Sequence, residues 1–188
     1  MRIISGNFKK KKLIIPDPKV TRPLRDYIKE SLFNLLAHSK LLNFKITQST
    51  ILDIFSGSGS FGIECLSRGS SKVFFIEKEK KIIEILKKNL QNNILDNNYK
   101  IFNQDFTNMN LKNSVKDKID LVFIDPPFKF NFFKEIFIKL KDLSEQITQS
   151  IIIVHYENKN NFVFDEYLNI IIKKNYGRSV IIFAKIKN

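Results

Sequence analysis

Residues 125 to 128 read Asp125-Pro126-Pro127-Phe128, directly after the apolar run Ile119 to Ile124. That order puts a carboxylate, two rigid prolines and an aromatic ring at the mouth of an expected buried strand. The carboxylate accepts hydrogen bonds, the prolines stiffen the placement of the Pro126 carbonyl, and the ring offers a stacking face. Such a group can hold a flat ring that carries an exocyclic amine and aim its nitrogen at an electrophile. The bland alternative, a stiff strand exit, loses ground if the rest of the chain supplies the electrophile.

Gly57-Ser58-Gly59-Ser60-Phe61-Gly62 matches G-x-G-x-x-G. Alone the pattern is weak, and three glycines can simply shape a tight turn. Here it follows an expected strand and opens an expected helix, the context that gives it value. Glu77 lies 20 residues past Gly57, at the end of the next expected strand. A carboxylate there can bind both hydroxyls of a ribose. Asp53 precedes the glycines, with Phe55 between them. A carboxylate at Asp53 repels a pyrophosphate but can pair with an ammonium, directly or through water. Asp105 can accept from an adenine amine, and Phe106 can lie against that ring. Three carboxylates at the ends of three successive strands point to S-adenosylmethionine over a dinucleotide. Asp53, Phe55, Gly57, Gly59, Glu77, Asp105 and Phe106 form the expected cofactor set, and Asp125, Pro126, Pro127 and Phe128 the catalytic set. His38 and His155 look isolated, and no residues have metal-ligand spacing, so no metal is expected.

These residues need elements to position them. From residue 50 the pattern alternates strand and helix: strands over 50–55, 72–76, 99–102, 119–124 and 150–154, and helices over about 60–68, 80–95 and 132–140. Residues 168–172 and 179–186 flank Asn175-Tyr176-Gly177-Arg178 and read as a C-terminal antiparallel hairpin. The expectation is an α/β Rossmann-like fold, a mostly parallel seven-stranded sheet ending in that hairpin. Before it, residues 2–5 and 12–15 flank a turn with a basic tip and predict a β-hairpin. Thr21-Arg22-Pro23 then opens a segment with helical apolar spacing, Thr21 being a possible cap. The organisation expected is an extension over 1–48 and a catalytic domain over 49–188, packed as one unit.

The formal charge is +13 over 188 residues. Residues 1 to 48 hold 11 basic against 3 acidic side chains, a net of +8, so most of the excess sits in about a quarter of the chain. A polyanionic partner follows, with Arg2, Lys9, Lys10, Lys11, Lys12, Arg22 and Arg25 as expected contacts. The single cysteine, Cys65, excludes an internal disulfide and reads as a small core residue. No apolar run approaches the roughly 18 residues of a membrane span, and no secretory signal is visible at Met1 to Ile4.

The acidic series with its [DN]-P-P-[FYW] tetrapeptide resembles class I methyltransferases that modify exocyclic amines. Met1-Arg2-Ile3-Ile4-Ser5-Gly6, Thr21-Arg22-Pro23, Asp26 and Glu30-Ser31-Leu32-Phe33-Asn34 narrow this. Together they resemble the bacterial 16S rRNA guanine-N2 methyltransferase family over essentially the whole chain. Position 25 is Arg, where that family often has a small or polar residue. The resemblance implies methyl transfer from S-adenosylmethionine to a guanine N2 in 16S rRNA. It also implies a cytoplasmic monomer acting on an assembling 30S subunit, with no membrane partner.

Other readings make different demands. An adenine-N6 enzyme acting on rRNA or DNA often carries Asn at the first tetrapeptide position and has a separate target-recognition region. A dehydrogenase needs a proton donor beside a hydride site, and no His or Tyr is obviously placed for one. A non-catalytic RNA-binding or assembly factor has no use for Glu77 or Asp125, and both are present.

Overall fold

The computed structural model describes residues 1–17, 24–93, 98–127 and 131–187. The strands are β1 (Thr50–Ile54), β2 (Lys72–Glu77), β3 (Tyr99–Asn103), β4 (Leu121–Ile124), β5 (Ile151–Glu157), β6 (Leu168–Tyr176) and β7 (Ser179–Ile186). The helices are α1 (Asp26–His38), α2 (Ser60–Ser67), α3 (Lys80–Asn93), α4 (Leu111–Ser114), α5 (Phe133–Leu140) and α6 (Ser144–Ile147). One seven-stranded sheet has the order β3-β2-β1-β4-β5-β7-β6. Strands β1 to β5 run parallel, and β7 is antiparallel to both β5 and β6.

The strand alternation sorts side chains into two apolar layers. Ile51, Val73, Phe75, Leu121, Phe123, Ile151 and Ile153 face a layer shared with α1, α2 and α3. Leu52, Ile54, Phe74, Ile76, Val122, Ile124, Ile152 and Val154 face the other, shared with α4, α5 and α6. Covering on both faces explains why β1, β4 and β5 are nearly continuous apolar runs. Phe33 of α1, Phe61 of α2 and Phe123 of β4 stack in series, with centroids 5.3 and 3.9 Å apart, locking two helices onto the sheet. Cys65 is fully buried in this layer, and burial pushes its thiol well above the ordinary range. Among the described residues no helix is long and apolar enough to cross a membrane.

The N-terminal segment forms the expected hairpin in short form: Ile3 N–H donates to the Lys11 carbonyl (3.0 Å), Lys10 N–H to the Ile3 carbonyl (2.9 Å) and Leu13 N–H to the Met1 carbonyl (3.1 Å). Among the described residues a single antiparallel bridge forms there, Arg2 with Lys12, and no strand extends from it. Much of the remaining backbone bonds to side chains of the helices beneath it. Glu64 of α2, 0% exposed, accepts from the N–H groups of Ile4 (2.7 Å) and Ser5 (3.0 Å). Lys29 of α1, also fully buried, donates to the Arg2 carbonyl at 2.8 Å and lies 3.8 Å from Glu64. Partners taken from helices leave little for a longer two-stranded ladder. Helix α1 begins at Asp26 with Arg25 at its N-cap, and the expected cap Thr21 lies outside the described residues.

Candidate active site

The acidic residues meet at one end of the sheet. Strand β1 is flanked by β2 and β4, and the connections from β1 and β4 leave in opposite directions across the sheet. This is a topological switch point, where open α/β sheets bind ligands beyond the strand C-termini. Continuing the alternation of Ile51, Phe75, Phe123 and Ile153 puts Asp53, Glu77, Asp125 and His155 on the same face of the sheet. The Asp125 N–H reaches back to the Ile54 carbonyl at 3.4 Å, so the tetrapeptide leaves directly beside the β1 exit.

The loop after β1 is shaped by backbone conformations that disfavour side chains. Phe55 has φ +61, Gly57 φ +54 and Gly59 φ +80. At Gly57 a Cβ would meet nothing nearer than 4.0 Å, so this backbone is open to a ligand. At Gly59 a Cβ would sit 2.3 Å from Leu86 Cδ1, so there glycine serves packing against α3.

Glu77 is pre-set by backbone donors. Its Oε2 accepts from Gly57 N–H at 3.0 Å, and its Oε1 accepts from Lys78 and Glu79 N–H at 2.8 and 3.0 Å. Each oxygen keeps further acceptor capacity, which suits a vicinal diol. Asp105 caps the turn Phe106–Asn108, accepting from Thr107 N–H (3.0 Å) and its hydroxyl (2.8 Å), and pairs with Lys78 at 3.2 Å. Partial burial works against its charge, but the Thr107 and Lys78 contacts outweigh it and hold the carboxyl below its ordinary range. It is thereby kept as an acceptor.

Two expected contacts take a different form. Asp53 is 1% exposed, beneath the loop, where it accepts from Gly62 N–H at 3.1 Å. Burial pushes its carboxyl well above the ordinary range, reinforced by Asp125 and Glu77 and only partly opposed by the Gly62 bond. It braces the start of α2 from beneath the loop. Phe106 is 1% exposed and packed into the core, so its ring is a floor under the site and not a free stacking face. Sequence alternation could not reveal this, because a turn follows β3 and ends the period.

In the Asp125 tetrapeptide, Pro126 is buried, Pro127 exposed and Asp125 half-buried. Phe128 lies outside the described residues, as do Thr21, Arg22 and Pro23. The sequence reading missed one residue here. His155, on β5, places Nδ1 2.7 Å from Asp125 Oδ1 and is 5% exposed. Thirty positions separate the two, and only the pairing of β5 with β4 brings them together. A histidine at the end of an apolar strand beside an acidic strand end was the available signal.

The exposed basic residues Arg2, Lys9, Lys10, Lys11 and Lys12 cluster on the N-terminal turn, and Arg25 is exposed at the start of α1. The Lys11 ammonium sits 5.2 Å from the centre of the Phe8 ring. A cavity of about 410 Å³ opens near Ser49, Asp120 and Ile151. It lies at the N-terminal ends of β1, β4 and β5, the opposite end of the sheet from the acidic cluster.

Similarity to known proteins agrees with this geometry. The family model described as conserved hypothetical protein 95 matches residues 1–185. A Haemophilus influenzae protein named ribosomal RNA small subunit methyltransferase D is 33% identical, covering 94% of this chain and 89% of its own. A Buchnera aphidicola protein of the same name, from strain Bp, is 36% identical, covering 93% and 85%. A solved Escherichia coli structure, described as a candidate methyltransferase, is 27% identical over 100% of this chain and 98% of its own, with a TM-score of 0.76. A Haemophilus influenzae structure described as a candidate methylase is 30% identical over the same shares, with a TM-score of 0.72.

Proposed function

The chain belongs to the conserved hypothetical protein 95 family, and from that premise we propose that it transfers a methyl group from S-adenosylmethionine to the exocyclic N2 amine of a guanine in 16S rRNA. One observation carries the reading: Asp125-Pro126-Pro127 leaves β4 beside the β1 exit, so an amine-recognition group adjoins the cofactor loop at the switch point.

The residues fit the cofactor. The open backbone at Gly57 accommodates close approach, Glu77 suits the ribose, Asp105 suits the adenine amine, and Asp53, beneath the loop, is a carboxyl that a cationic end would draw toward its ionised form. When bound, S-adenosylmethionine supplies an electrophilic methyl on a sulfonium. The chain's own part is positioning and electrostatics. A guanine N2 lone pair is delocalised into its ring and is a poor nucleophile. Hydrogen bonds to the Asp125 carboxylate and the Pro126 carbonyl favour a pyramidal nitrogen that gains positive charge and then sheds one proton. Phe128 is assigned to stacking on the flipped base. Arg2, Lys9 to Lys12, Arg22 and Arg25 are assigned to RNA phosphates, with an assembling 30S particle as the working substrate.

The test is transfer of labelled methyl to naked 16S rRNA, to assembling 30S particles and to DNA, followed by nucleoside analysis. N2-methylguanine from rRNA is expected. N6-methyladenine, or DNA as the preferred acceptor, overturns the assignment. Neutralising Lys9 to Lys12 should also lower the salt slope of RNA binding by about 0.7 to 0.9 for each phosphate that these side chains no longer neutralise.

A further inference from the structure

We propose that His155 is a positioning residue for amine recognition: it holds one oxygen of Asp125 so that the other faces the incoming amine. The proposal rests on the reading of Asp125 given above. His155 Nδ1 and Asp125 Oδ1 are 2.7 Å apart, and the side chains are 7% and 21% exposed. An ionised carboxylate only accepts, so Nδ1 carries the proton and donates.

The histidine is a stiff support because its own backbone is paired with β7 one residue past the last β4 pairing. Strand β5 pairs with β4 as far as Val154 opposite Ile124, and on its other edge His155 lies opposite Ile181 of β7. Asp125, by contrast, is the first residue past the end of β4 and has no strand to fix its rotamer. An aspartate on a strand exit turns about two side-chain torsions, and each rotamer sends its oxygens to a different place. A bond of 2.7 Å from a buried imidazole selects one of them. Orientation at this level matters, since a misplacement of about 1 Å can cost on the order of 100-fold in rate.

Four variants test this: His155→Leu, His155→Asn, Asp125→Ala and the double variant His155→Leu/Asp125→Ala. Asparagine can place its amide N–H near the position of Nδ1. The expected result is that His155→Leu lowers kcat by about 10- to 100-fold while KM for S-adenosylmethionine stays within about twofold. His155→Asn recovers most of the loss. In the Asp125→Ala background, His155→Leu has no further effect, because a residue that acts through another is silent once the other is gone. A readout without turnover is the Nδ1 proton of labelled protein, expected as a downfield resonance that Asp125→Ala abolishes. Calorimetric binding of S-adenosylmethionine reports whether each variant is folded. Full kcat in His155→Leu, or equal losses from that substitution in both backgrounds, overturns the proposal. If the wild-type protein methylates no RNA amine, the underlying reading has failed instead, and the resonance alone then tests the Asp125 contact.

Discussion

Asn89 of α3 grips both backbone groups of Ile14. Its Oδ1 accepts from the Ile14 N–H at 2.8 Å, and its Nδ2 donates to the Ile14 carbonyl at 2.9 Å. The same Nδ2 donates to the Ser58 carbonyl at 2.9 Å, in the glycine-rich loop. One buried amide therefore ties the second limb of the basic N-terminal segment to the loop assigned to the cofactor.

Asn89→Leu should leave these groups unsatisfied, at about 1 to 3 kcal/mol for each one that water does not reach. Urea denaturation should show the loss, and S-adenosylmethionine affinity should fall with it because Ser58 is released. Unchanged affinity in a destabilised variant would show that the loop holds its shape without Asn89.

The buried pair Lys29 and Glu64 makes a second prediction. Burial pulls the Lys29 pKa down, and Glu64 and Asp26 oppose this. Removing Glu64 alone strands a fully buried ammonium, so Glu64→Leu should cost roughly 3 to 5 kcal/mol. Lys29→Met added to it should recover part of that. Recovery stays partial because the Ile4 and Ser5 N–H groups are left without their acceptor. Equal stabilities for the single and double variants would show that the stranded charge is not the source of the loss.

Asp53 predicts a pH dependence. Its folded pKa is raised above the ordinary 3.8, so between that value and the raised one the folded chain holds a proton that the unfolded chain releases. Stability from this group therefore falls as pH rises through the window. A cationic ligand favours the ionised form, so S-adenosylmethionine should bind more tightly as pH rises there, by up to roughly tenfold per unit. Calorimetry over a pH series rising from the ordinary 3.8 should show this slope, and Asp53→Asn should flatten it. A flat wild-type profile, or a slope that survives the substitution, rules the linkage out.

Two glycines separate fold from ligand. At Gly62 a Cβ would lie 2.3 Å from Phe75 Cε1 and 2.8 Å from Val73 Cγ1, both in the rigid core. Gly62→Ala should cost about 1 to 3 kcal/mol in thermal or chemical unfolding. At Gly57 there is room but φ is +54. Gly57→Ala should therefore cost about 1 to 2 kcal/mol and mainly lower cofactor affinity. A Gly57 variant with wild-type affinity would remove that backbone from the cofactor site.

The strand and helix positions were legible because their signals are local. Apolar runs end at Gly, Pro or acidic residues close to the observed boundaries, as at Ile54, Glu77 and Ile124. Short elements such as α4 and α6 were not legible, since four residues carry no period. The expected N-terminal hairpin stays short because other partners for its backbone, Glu64, Ser67 and Asn89, lie 59 to 75 positions away, where no local signal reaches.

The chain's sequence by itself determined the chemistry at the strand ends. Asp53, Glu77, Asp105 and Asp125 follow four apolar runs in order, and a strand presents its last residues at one edge whatever its neighbours are. Strand order was a different matter. Tertiary structure alone put β4 beside β1, which makes the Asp125 exit adjoin the glycine-rich loop, and put β5 beside β4, which brings His155 to Asp125. It also sank Asp53 beneath the loop and Phe106 into the core. Which strands pair, and how deeply a strand-end group is buried, depend on packing across the whole sheet, and no local periodicity encodes that.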